Sequence, residues 1–174
     1  MHRSKRVWLT LLLLWPLASH ADVVDVPQLG IRFAALPAGA FEPEVTPTQQ
    51  GYLARIQLGK ALMSIYRESD PVSAGSDVAS PGYRASLDTK FAATIESNNQ
   101  GAPTAVAGHG AWTVVDARPA DPRPSTAYTC VTYVIVDQHL YRLTVTAVGA
   151  QRPPEFDALV KAISAITFEP IRQS

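Results

Sequence analysis

Outside the first 21 residues, the side chains best suited to chemistry are two histidines, one cysteine and a close pair of carboxylates. His109 stands between Gly108 and Gly110 in the run Ala107 to Trp112, where missing Cβ atoms would let a ligand approach the backbone. A cleft near His109 would be the place for a small-ligand site or an enzymatic centre. No acid or nucleophile stands at a spacing that identifies a partner for it, so a loop histidine ahead of a strand is the simpler reading. His139 falls in an expected hairpin turn, where solvation accounts for it. The two imidazoles form no HExxH or HxH pattern, and no metal site is expected. Cys130 lies in a β-rich run on one face with Tyr128, Thr132 and Val134. A nucleophilic thiol needs a base and exposure, whereas a lone free cysteine is usually buried as a small apolar side chain. Glu42 and Glu44 flank Pro43 and read as a solvated loop. No serine stands in GxSxG or SxxK, and no glycine run could cradle a phosphate. Neither a catalytic residue nor a cofactor is expected, and the chain does not read as an enzyme.

Such a chain works by binding, and loops on a rigid scaffold carry the contacts. The segment from Asp70 to Arg84 is the candidate, with Asp70, Asp77, Tyr83 and Arg84 set among small residues; His109 completes the expected partner-binding set. The break from Asp70 to Gly82 spans 13 residues, against roughly 4 to 6 for an ordinary connection. It reads equally as a disordered linker. Trp112 is expected in the core, because aromatic residues dominate buried area.

Composition bounds the partner. The 174 residues carry 15 Lys plus Arg and 15 Asp plus Glu, and 47% are hydrophobic. One cysteine excludes a disulfide framework and every multi-cysteine metal site. Met1 to Ala21 has the form of an export signal: Arg3, Lys5 and Arg6 precede the apolar run Val7 to Leu14, and Ser19, His20 and Ala21 supply the small residues of a cleavage site. The apolar stretch is about a dozen residues, short of the ~20 a membrane-spanning helix needs. Cleavage between Ala21 and Asp22 would release a single domain, residues 22–174, into the periplasm. That mature chain has lost three basic residues and no acidic ones, so its net charge is near −3. Neither nucleic acid nor membrane insertion is expected of it, which leaves another protein as partner.

The elements that must position these residues are mixed. Ile31 to Ala35 and Tyr52 to Leu58 alternate as strands, and Leu62 to Arg67 has a similar short pattern. Ser80 before Pro81 has the composition of a helix start, and Tyr83, Leu87, Phe91 and Ile95 then recur every four residues towards an end near Asn98. Ala111 to Ala117, Tyr128 to Val136 and Leu140 to Val148 read as central strands, the last two joined tightly through Asp137, Gln138 and His139. After Pro153 and Pro154, the spacing of Phe156, Leu159, Val160, Ile163 and Ile166 describes an amphipathic helix. Polar, Pro-rich breaks are expected at Pro43 to Gln50, Asp70 to Gly82, Asn98 to Pro103 and Arg118 to Ser125. The resulting fold class is α+β, with an antiparallel sheet of five or six strands packed by two main helices.

The hairpin Val134 to Ala147 running into Pro153 to Pro170, with a short element from Ser164 to Phe168, resembles the C-terminal half of the PsbP-like α/β/α sandwich superfamily. Leu29 to Pro37 is similar to its opening strand. The resemblance implies an exported bacterial member that binds protein without a shared catalytic centre, and it transfers no functional residue. Together with the missing active site, it suggests an immunity or inhibitor protein against a periplasm-acting toxin or hydrolase, or an envelope accessory factor.

Overall fold

The computed structural model describes residues 23–91, 101–121 and 124–171. The expected export signal and its Ala21/Asp22 site lie outside these residues, as do Ile95 and Asn98 at the expected end of the first helix. In chain order the described elements are β1 (Val24–Val26), β2 (Ile31–Phe33), β3 (Glu44–Thr48), β4 (Gly51–Leu58), β5 (Ala61–Glu68), α1 (Pro81–Phe91), β6 (Ala102–Val106), β7 (His109–Ala120), β8 (Ser125–Val136), β9 (His139–Gly149), α2 (Pro154–Ile163) and β10 (Ile166–Phe168). The class is α+β, as the periodicities imply, with every strand pair antiparallel.

Seven strands form the main sheet in the order β3-β4-β5-β9-β8-β7-β6, and β1-β2-β10 form a second, small sheet. The expectation of five or six strands is therefore corrected, and the reason lies at the edges. β3 occupies most of the expected Pro43 to Gln50 break, and β6 takes in Ala102 and Pro103 from another. Both are edge strands, where a proline that donates no hydrogen bond is tolerated and solvent removes the apolar alternation. The break at Arg118 to Ser125 shrinks in the same way, since β7 runs on to Ala120 and β8 begins at Ser125. The strands of the small sheet have three residues each, too few to show a period.

Side-chain alternation divides the main sheet into two packed faces. On one, Ala61, Met63 and Ile65 of β5 and Leu143 and Val145 of β9 meet Phe156, Leu159, Ala162 and Ile163 of α2, with Phe33 and Ile166 of the small sheet extending the same core. On the other, Val131 and Tyr133 of β8, Trp112 and Val114 of β7 and Leu140 of β9 meet Leu87 of α1 and Val78 of the preceding segment. Because β8 and β9 are covered on both faces, they read as nearly continuous apolar runs. Their hairpin turns through Asp137 and Gln138, both at positive φ (48° and 63°), as a two-residue type I′ turn requires. His139 is thus the first residue of β9 and not part of the turn. Among the described residues no helix is long and apolar enough to cross a membrane.

Candidate functional site

Consecutive residues at the end of β5 send opposite charges to opposite faces. Arg67 continues the row of Ala61, Met63 and Ile65 beneath α2, while Glu68 lies on the α1 face; both are buried. Each marks one candidate site.

On the α1 face, the segment from Asp70 to Ser80 is no loose linker. Val72 donates its N–H to Gln138 O at 2.6 Å, and Val72, Val78 and Ala79 pack on the sheet. Asp77 Oδ1 accepts the N–H of Ala79 at 2.9 Å, and Ser80 Oγ donates to Asp77 O at 2.9 Å and accepts the N–H of Tyr83 at 3.3 Å. Ser80 is therefore the helix cap its sequence context suggests, and Asp77 builds the turn that delivers it. The cap fixes the first turn of α1, which places the Arg84 guanidinium 4.1 Å from the centroid of the buried Trp112 ring. Tyr83 stands beside it, its phenol pushed up in pKa by burial and then by the charge of Glu68. Further along the face, Arg142 lies 5.7 Å from the Tyr66 ring centroid. Burial lowers the Arg142 pKa, against the opposing influence of Tyr133, Tyr66 and Glu68. Past α1 the sheet is more open: Arg55 and Val148 are exposed, and Leu53, Leu62 and Tyr66 are half-buried.

On the α2 face, a cavity of about 270 Å³ opens at the end of β5 and β9, where the chain leaves β10. Arg67, Val136, His139, Tyr141, Phe168 and Ile171 line it. Tyr141 Oη donates to Leu29 O at 2.7 Å, and the Arg67 guanidinium hydrogen-bonds the phenol. The Tyr141 pKa is raised by burial, with Arg67 pulling it back. His139 Nδ1 stands 3.1 Å from Glu68 O, which makes Nδ1 the protonated nitrogen of that imidazole. His139 is half-buried against this cavity, so turn solvation does not account for it. Gly30 positions the segment that carries Glu169: at φ +63°, a Cβ there would meet Glu169 O at 2.5 Å, so glycine lets the two segments close and Glu169 donate its N–H to Gly30 O at 2.9 Å.

The expected site residues therefore separate. Tyr83 and Arg84 come together on the α1 face, with the exposed Asp70 and Asp77 on the segment leading to them. His109 does not join them. It opens β7 instead of lying in a loop, shares the α2 face with Ala111, and sets its ring edge-on to Phe168 at 5.6 Å. Sequence reasoning missed Arg67, Tyr66, Glu68, Arg142 and the cavity residues Tyr141 and Phe168. A charged Arg-Glu pair closing an otherwise alternating strand was the available signal. Cys130 is free, 1% exposed and pushed up in pKa by burial, so its thiol is a packing group. Among the described residues no three His, Cys, Asp or Glu side chains gather where they could hold a metal. No family model and no curated protein matches the chain.

Proposed function

We propose that this chain is an exported, noncatalytic domain that binds another protein through its α1 face, as an immunity or inhibitor protein against a periplasm-acting toxin or hydrolase, or as an envelope accessory factor. The observation that carries the reading is the Arg84 guanidinium held over Trp112 next to an incompletely covered stretch of sheet. Interfaces draw most of their energy from a few Trp, Tyr and Arg anchors. An anchor already held in place by a ring loses less side-chain freedom on association. Tyr83, Arg84 and Tyr66 supply those residue types, with the exposed Arg55 in the same surface, so the partner that suits this face offers carboxylates to Arg55 and Arg84. A helix on each side of one antiparallel sheet is also the layer order that PsbP-like membership implies, and the family assignment belongs to the same proposal.

The test is affinity capture from the native envelope with the mature chain, followed by reconstitution of a stoichiometric complex from the purified components. Arg84→Ala is expected to weaken that complex by at least ~30-fold, the size of a hot-spot residue, and Arg55→Glu to weaken it without touching the fold. Failure of the wild-type chain to retain any partner through reconstitution overturns the proposal, as does a complex indifferent to both substitutions.

A further inference from the structure

Arg67 carries a buried charge that no carboxylate among the described residues pairs with. The residue is 8% exposed, on the face filled by Ile65, Met63 and α2. Among the described residues no carboxylate stands within ion-pair distance of it, and its buried Nε has no hydrogen-bond partner. The Tyr141 phenol satisfies part of the guanidinium, but a neutral oxygen does not balance a charge. Burying an ion without a counter-charge is among the most unfavourable arrangements a fold can hold. The same guanidinium lines the cavity of about 270 Å³, room for on the order of ten non-hydrogen atoms at ~30 Å³ per water-sized group.

We infer that this cavity binds a small organic monocarboxylate, whose carboxylate pairs with Arg67 and whose apolar body lies against Tyr141, Phe168, Val136 and Ile171. The planar fork of arginine matches two carboxylate oxygens. The walls argue for a body that is apolar or aromatic, since the Tyr141 and Phe168 rings meet at 5.0 Å and 60°. The local charge argues for a monoanion. Asp137 and Glu169 also line the cavity, and Glu169 is paired at 2.6 Å with Arg32, a cation it shares with Asp25. A dianion such as phosphate would bring a second charge against Asp137 with no second cation to meet it. His139 supplies a further ring nitrogen at the wall, with Nδ1 committed to Glu68 O. This site lies across the sheet from α1 and does not depend on the protein partner proposed above.

The experiment titrates the purified chain with benzoate, benzamide and inorganic phosphate, following binding by calorimetry and by protein chemical shifts. Benzoate is expected to bind and to shift Tyr141 and His139, benzamide to bind at least tenfold more weakly, and phosphate not to displace benzoate. Arg67→Gln should erase the preference for acid over amide. Because that substitution also touches Tyr141, Ile171→Trp is the second variant: it fills the cavity from its rim with Arg67 in place, and should abolish benzoate binding without lowering the Tm. The inference is overturned by absence of benzoate binding at about 10 mM, by equal affinity for benzoate and benzamide, by displacement with phosphate, or by full benzoate affinity in Ile171→Trp.

Discussion

The two helices cover opposite faces of one sheet and are held there by different forces. Helix α2 buries Phe156, Leu159, Ala162 and Ile163, has Glu155 and Asp157 in its first turn and Lys161 in its last, and begins at Pro153 with no side-chain cap. Helix α1 places Leu87 in the core, has no acidic residue in its first turn, and is started by the Ser80 cap and steadied by the Arg84 stack on Trp112. Apolar area is non-directional and accumulates at roughly 1.5–3 kcal/mol per fully buried large side chain. Caps and ring stacks contribute about 1 kcal/mol each, but they fix direction. The difference teaches where recognition can sit. The α2 face buries a continuous apolar core, whereas the α1 face keeps oriented polar and aromatic groups at its surface.

The sharpest way to break this comparison is to truncate the central apolar residue of each helix. Phe156→Ala should cost about 3–5 kcal/mol and Leu87→Ala about 2 kcal/mol, near the low end for a buried leucine, because the α1 side can collapse onto the gap. Urea unfolding of both variants measures the contrast. Equal losses would mean that α1 is clamped as firmly as α2 and that its face is ordinary core.

A second comparison sets two phenols of raised pKa side by side. Tyr141 bridges Arg67 and Leu29 O on the α2 face, so Tyr141→Phe should cost about 1–3 kcal/mol by leaving both groups without that partner. Burial holds the Tyr141 phenol above the ordinary value near 10. A folded-state pKa above the unfolded one gives stability that is complete below the unfolded value and lost as pH rises through the folded one. The Tm should therefore fall above roughly pH 10, and Tyr141→Phe should reduce the fall. It should not abolish it, because Tyr83 on the α1 face is raised too, by burial and then by Glu68. An alkaline melting profile identical in the wild type and Tyr141→Phe would place the buried phenol elsewhere.

What was legible in the sequence follows from the same division. The row Phe156, Leu159 and Ile163 repeats at helical spacing because burial on one side imposes it, and the β8–β9 hairpin reads from composition because both its faces are covered. Ser80 and Pro81 mark the start of α1 because capping chemistry is local. The edge strands escaped because solvent imposes no pattern on Thr46 or Thr104, and Pro47 and Pro103 look like breaks until the strand is known to lie at an edge. The candidate sites escaped for a different reason. Arg67 and Phe168 come to line one cavity, and Tyr66 comes to face Arg142, only in the folded chain, at separations no local spacing encodes. His109 reads as a loop residue because Gly108 and Gly110 flank it, yet it lies in β7, where strand alternation turns it to the face opposite Tyr83 and Arg84.

The smallest expected effect tests how α1 is held. Ser80→Ala removes the acceptor of the Tyr83 N–H and should cost about 1 kcal/mol, the usual value of a helix cap. Because the cap acts on the first turn alone, that loss should stay local. Hydrogen exchange is expected to quicken at Tyr83, Arg84 and Leu87 while the amides of α2, which has no side-chain cap to lose, keep their wild-type protection. Fraying of that first turn releases Arg84 from Trp112, so affinity for the protein partner should fall with it even though no contact residue has been changed. Unchanged exchange at these amides would mean that packing of Leu87 alone fixes α1, and the contrast between a helix held by area and a helix held by direction would fail.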